Sequence, residues 1–227
     1  MENLGGFKQE GQSRGLIVRW LIGLGLVLGL VLIFGEMAEE VWFREGFAWD
    51  APIILAIHRL SNPFINAVMW LVTQTGEIGA GLVVLMAAIW FVRHQRGVDA
   101  LSIVVSLGGA AALNAILKLI FARPRPSLFP PMVKVTGFSF PSGHVTAAVA
   151  VYGFLAVVLW REGRRGWAIF SGLWVILVAI SRIYLGAHYP SDTLGAMVFT
   201  SLWLLVLYFV RDRYAQAVQL EGESESD

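Results

Sequence analysis

Lys118-Leu119-Ile120-Phe121-Ala122-Arg123-Pro124-Arg125-Pro126, Phe140-Pro141-Ser142-Gly143-His144, Ser181-Arg182 and His188-Tyr189-Pro190-Ser191-Asp192 are four polar clusters set among long apolar runs. The runs between and around them, Ala100–Leu117, Val145–Trp160, Gly166–Ser181 and Thr193–Val210, have the length and composition of membrane-spanning helices. The polar clusters therefore fall at span ends, where cations and histidines sit beside lipid headgroups. Such a set suits chemistry on a phosphate.

Composition agrees. Of 227 residues 57% are hydrophobic and only 15% charged, which places the chain among integral membrane proteins. The formal net charge of +1 gives no electrostatic case for a nucleic acid partner. Absence of cysteine excludes disulfides, thiolate zinc sites and a cysteine nucleophile.

Working outward, Leu16–Phe34 is expected to be the first span, with Arg19 snorkelling at its end, and Ile78–Val92 the second. Residues 1–15 read as a cytoplasmic tail, 16–210 as one six-helix domain and 211–227 as an acidic, disordered cytoplasmic tail. Between spans one and two, charged and aromatic residues alternate from Glu36 to Trp49. Asp50-Ala51-Pro52 reads as a helix start, and Ile53–Leu60 and Phe64–Val72 are too short to span. They are expected to form an interfacial helical segment on the outer surface. The fold class is thus all-α, with six transmembrane helices and an extracytoplasmic interfacial segment.

Charge sets the orientation. The N-terminal tail, Arg93, Arg96, Arg161, Arg164, Arg165, Arg211 and Arg213 share one side and hold ten of the 17 Lys and Arg. The opposite side has seven, three of them motif residues, so both termini are expected in the cytoplasm. Spans three and five then end outside, spans four and six begin outside, and all four polar clusters meet at one extracytoplasmic face.

The chemistry can be read residue by residue. Pro141 favours a helix start near itself, leaving the N–H groups of Ser142, Gly143 and His144 as donors for phosphate oxygens. The plainer alternative is an ordinary helix cap. Lys118, Arg125 and Arg182 lack nearby carboxylates in sequence and call for an anionic partner. Snorkelling to lipid phosphates is the alternative for these, and the preferred reading of Arg123 and Lys134. Pro190 places a helix start just after His188, with Asp192 in its first turn. Asp192 either complements the helix dipole or reaches back to one imidazole nitrogen and leaves the other free to attack. His144 is placed to protonate a leaving oxygen. His58 and His94 have no such neighbours. Two histidines and an aspartate could ligate a divalent metal, but three adjacent cations fit a bound anion better.

Lys118 with Arg125-Pro126, Pro141-Ser142-Gly143-His144, and Ser181-Arg182 with His188 and Asp192 together closely resemble the three-part signature of the type 2 phosphatidic acid phosphatase superfamily. No signature position departs from it. The resemblance is strong over residues 118–192 and says little about 35–76. It implies a metal-independent, cofactor-free lipid phosphatase of the bacterial cytoplasmic membrane. His188 would be the nucleophile forming a phosphohistidine, Asp192 its orienting partner and His144 the general acid. Lys118, Arg125, Ser142, Gly143 and Arg182 would bind the phosphate. Family substrates include phosphatidic acid, phosphatidylglycerophosphate and undecaprenyl diphosphate. A lipid phosphotransferase with the same intermediate, or a lipid-phosphate binder or transporter without turnover, are the competing functions.

Overall fold

The computed structural model describes residues 4–43 and 46–224, with side chains from residue 21 to 217 except 22, 44 and 45. Among the described residues every regular element is helical. Helix α1 spans Leu4–Trp42, α2 Asp50–His58, α3 Pro63–Gln74, α4 Ile78–Arg93 and α5 Gly97–Phe121. Helix α6 spans Gly143–Arg161, α7 Arg165–Tyr184 and α8 Pro190–Ser224.

Helices α5, α6, α7 and α8 (to Ala217) are each long and apolar enough to cross a membrane. Helices α3 and α4 pass the same test as a pair bent by 45°. Lys8, Arg14 and Arg19 lie outside the described side chains, as do the acidic residues from Glu221 onward. The backbone of α8 stays helical through Ser224, beyond the boundary expected at 210.

The sequence explains the breaks. Asn62 caps α3 by accepting from the Ile65 N–H at 3.0 Å, with Pro63 in the first turn. The polar run Thr73–Glu77 interrupts two apolar stretches and becomes the bend between α3 and α4. Helix α5 ends where Ala122 turns left-handed, just before the proline-rich loop.

Helix α6 is the axis of the core. Val145, Ala148, Ala150, Val151 and Phe154 are fully buried, against Ile103 of α5, Val178 of α7 and Ala196 of α8. A π-turn at Val149–Gly153 interrupts its ladder, and neighbouring helices supply donors there: Ser106 Oγ to the Ala150 carbonyl at 2.7 Å and Tyr208 Oη to the Phe154 carbonyl at 2.7 Å. Outward-facing side chains such as Leu101, Ile116, Ile169, Leu173 and Val206 are apolar and exposed, as a lipid-facing belt requires.

At the end of the bundle remote from the polar clusters, Arg211 pairs with Asp99 and Asp212, Arg161 with Asp212, and Arg96 with Asp99 and Glu162. The basic turns expected to share one side do converge at one end, and Arg211 and Asp212 pack as part of the domain.

Candidate functional site

The opposite end holds a cavity of about 640 Å³. Lys118 from α5, Gly143 and His144 from α6, Arg182 from α7, and Arg125 and His188 from the loops line it. Ser142 and Asp192 are fully buried and do not line it. Six of the eight candidate residues thus share one cavity.

His188 arrives there because α7 is stopped. Gly186 takes a left-handed φ of 69°, and Ala187 N–H returns to the Arg182 carbonyl at 3.1 Å. A Cβ on Gly186 would sit 2.5 Å from the Phe129 ring, so only glycine fits this turn. Pro190 then opens α8. Asp192 reaches back to accept the Tyr189 N–H at 2.8 Å, closing the first turn, and its Oδ2 also accepts from Ser139 Oγ.

His188 Nδ1 lies 3.5 Å from Asp192 Oδ2. The pair is close but not aligned as a hydrogen bond, and Nδ1 has no other partner. On the other side of the ring, Nε2 lies 3.3 Å from Arg125 Nη1. Burial pushes the His188 imidazole down to about 4, against the upward pull of Asp192. The ring is neutral at pH 7, with Nε2 toward the guanidinium. Arg125 is itself pushed down by burial, and Asp192 opposes this.

The cations are tied to the loop. Arg125 donates to the carbonyls of Thr136 at 2.7 Å, Gly137 at 3.0 Å and Ala187 at 2.8 Å, and Lys118 Nζ to the Phe138 carbonyl at 2.6 Å. Arg182 is buried and donates from Nη1 to Thr73 Oγ1 at 2.7 Å, while its Nε has no partner. Ser142 Oγ is likewise buried and unpaired. Orphaned donors of this kind, concentrated beside three cations, point to an anionic ligand.

Helix α6 begins at Gly143 with Ser142 as N-cap, two residues after Pro141. One expectation is corrected here. The Ser142 N–H is not free for a ligand, because it donates to the Asp192 carbonyl at 3.2 Å. It joins the entries of α6 and α8, and the first-turn donors toward the cavity are those of Gly143 and His144. Asn114 of α5 holds this entry from below, donating to the Pro141 carbonyl at 3.2 Å and Thr146 Oγ1 at 3.0 Å.

A second correction concerns Arg123, expected at the headgroups. It is 8% exposed and sits between two carboxylates, Asp50 at 2.9 Å and Asp192 at 2.6 Å. Desolvation rules out snorkelling for a cation so enclosed and so paired. Asp50 also accepts the Ser191 N–H at 2.9 Å and Ser191 Oγ at 2.5 Å. Sequence reasoning missed Asp50, Asn114, Arg123, Thr73 and Glu77. Only the polar run Thr73–Glu77 between apolar stretches offered a signal.

A family model described as the PAP2 superfamily matches residues 99–215. The chain is 32% identical to phosphatidylglycerophosphatase B of Bacillus subtilis over 192 residues, covering 81% of this chain and 92% of that protein. It is 31% identical to a B. subtilis undecaprenyl-diphosphatase, covering 64% and 76%. The crystal structure of a transmembrane PAP2-type phosphatidylglycerolphosphate phosphatase from B. subtilis superposes with a TM-score of 0.73 at 30% identity, covering 85% of this chain and 96% of that one. With a family match across both histidine motifs and a relative 32% identical over 81% of the chain, this membrane protein belongs to the PAP2 superfamily.

Proposed function

We propose that the protein is a membrane lipid phosphatase that removes the terminal phosphate of a lipid phosphate or diphosphate through a phosphohistidine. The observation that carries this is the neutral, buried His188, whose Nε2 is turned toward Arg125 while Nδ1 faces Asp192. Binding alone requires cations and donors; a neutral imidazole backed by a carboxylate adds a nucleophile.

In this reading Lys118, Arg125, Arg182 and the N–H groups of Gly143 and His144 hold the phosphate oxygens and compensate their charge. His188 Nε2 attacks phosphorus, the P–N bond forms and the P–O bond to the lipid breaks. His144 gives its proton to the departing oxygen. Water then attacks the phosphohistidine, His144 takes a proton from it, and inorganic phosphate leaves. Asp192 stabilises the charge that develops on the His188 ring.

Six spans, with α1 first and the bent α3–α4 pair second, put both termini on the cytoplasmic side and the cavity on the outer face of the cytoplasmic membrane. The charge bias of the sequence supports that orientation. The similar B. subtilis proteins suggest phosphatidylglycerophosphate and undecaprenyl diphosphate as substrates.

The test is phosphate release from both lipids by purified protein, followed with radiolabelled substrate. Wild type should carry acid-labile, alkali-stable label that His188→Ala lacks. A folded His188→Ala variant with normal turnover would refute the nucleophile. Activity should also persist in excess EDTA; a loss restored by a divalent cation would refute the metal-free mechanism. Tags at the two termini should both be shielded in intact cells.

A further inference from the structure

The bend between α3 and α4 touches the cavity at two points. Thr73 holds Arg182, and Glu77, two residues past the pinned Thr75, holds His144: its Oε2 lies 3.1 Å from His144 Nε2. The bend is fixed from three sides. Trp174 Nε1 donates to Thr75 Oγ1 at 3.0 Å, Tyr152 Oη donates to the Thr75 carbonyl at 2.9 Å, and Thr75 Oγ1 donates to the Val72 carbonyl at 2.6 Å. Gly76 is pressed against the His144 backbone so closely that a Cβ there would lie 2.9 Å from the His144 carbonyl oxygen. Glu77 is therefore presented to His144 by a rigid corner, although its own side chain is 59% exposed at the cavity wall.

We infer that Glu77 is a positioning residue for His144, holding Nε2 so that Nδ1 is the nitrogen turned to the substrate. The two histidines are then matched. Each has a carboxylate on one ring nitrogen, Asp192 near Nδ1 of His188 and Glu77 at Nε2 of His144, and each keeps the other nitrogen for the reaction. Glu77 sets a carboxylate at the edge of the ring in a cavity whose other charged groups include the cations Lys118, Arg125 and Arg182. In the first step the His144 proton passes to the departing lipid oxygen as the P–O bond breaks, and the ring is left neutral with its electron pair ready to accept a proton from water. Glu77 keeps its contact with Nε2 throughout, so that the proton leaves and returns at Nδ1.

This rests on His144 acting as general acid, and the experiment separates the two ideas. Two synthetic phosphates with the same alkyl tail are compared, one releasing an alkanol and the other a nitrophenol. Only the alkanol needs a proton as it leaves. Glu77→Ala should cost at least tenfold more in kcat on the alkanol substrate than on the nitrophenol substrate, with Glu77→Gln between Glu77→Ala and wild type. His144→Ala should show the same selectivity more strongly. Selectivity in His144→Ala with equal losses on both substrates in Glu77→Ala would overturn the role of Glu77 and leave the general acid standing. Equal losses in both variants would overturn the general acid and the inference built on it. Elution as folded protein in detergent, with unfolding temperature measured alongside, is required of each variant.

Discussion

Arg123 joins Asp50 to Asp192, donating at 2.9 Å to one and 2.6 Å to the other inside a buried network. The segment between α1 and α3 is thereby wired to the carboxylate beside His188. Asp50 also fixes Ser191 through both backbone and side chain, so two residues of the α8 entry depend on it, Ser191 directly and Asp192 through Arg123. Removing one partner of a buried pair leaves the other charge uncompensated, at a cost of about 3–5 kcal/mol. Asp50→Ala and Arg123→Ala should each lower the unfolding temperature in detergent markedly. Asp50→Asn, which keeps the shape, should lower kcat with little change in KM. A stable Asp50→Ala variant with full activity would show the network to be dispensable.

The His188 imidazole is held down to about 4 by burial, well below the ordinary 6.5. Its neutral form, the one able to attack, persists as pH falls until about 4. The histidine signal assigned to residue 188 in nitrogen-labelled protein should therefore not titrate between pH 8 and roughly 5. Linkage runs the same way: between the two values the unfolded chain binds the extra proton, so this group's contribution to stability declines as pH falls from 6.5 toward 4. Asp192→Asn removes the upward pull and should move the titration lower still. A midpoint near 6.5 in wild type would contradict the buried, neutral ring.

Close packing at the α8 entry gives a third expectation. A Cβ on Gly195 would lie 2.4 Å from the Phe140 ring, whereas nothing lies within 4 Å of one on Gly172 in α7. Gly195→Ala forces Phe140 away from α8 and disturbs Pro141 and Ser142 behind it. It should destabilise by about 1–3 kcal/mol and reduce turnover. Gly172→Ala should be neutral or slightly stabilising, since alanine is the better helix former. Thermal unfolding of the two variants side by side decides this.

Much of this arrangement was legible in the sequence. Apolar runs bounded by charge gave the helices from α4 to α7 and the start of α8 to within a few residues, while α8 runs on past Val210 to Ser224, and Pro190 placed His188 before a helix instead of on its face. The three motifs brought Lys118, Arg125, His144, Arg182 and His188 to one cavity. Partners across the chain were not legible. Asp50 and Arg123 are 73 residues apart, and each has an adequate local explanation as helix start or headgroup anchor. Only packing reveals that the two charges neutralise each other. Glu77 was hidden for a related reason: periodicity registers apolar faces, and a polar corner between two short helices looks like a loop until its geometry is seen.

Arg125 shows how far the loop and the chemistry are joined. Its guanidinium donates to the carbonyls of Thr136, Gly137 and Ala187 while lying 3.3 Å from His188 Nε2. A fork of fixed donors can hold three carbonyls in one geometry, which a lysine ammonium on a flexible stem cannot reproduce. Arg125→Lys keeps the charge that a phosphate requires and loses the fork. It should lower kcat/KM by about 10²-fold, the scale of a misplaced substrate-positioning group, and should loosen residues 132–138. Hydrogen exchange at Thr136 to Phe138 would rise in parallel. If Arg125→Lys kept full activity, charge alone would suffice at this position and the positioning role would fall to Lys118 and its hold on Phe138.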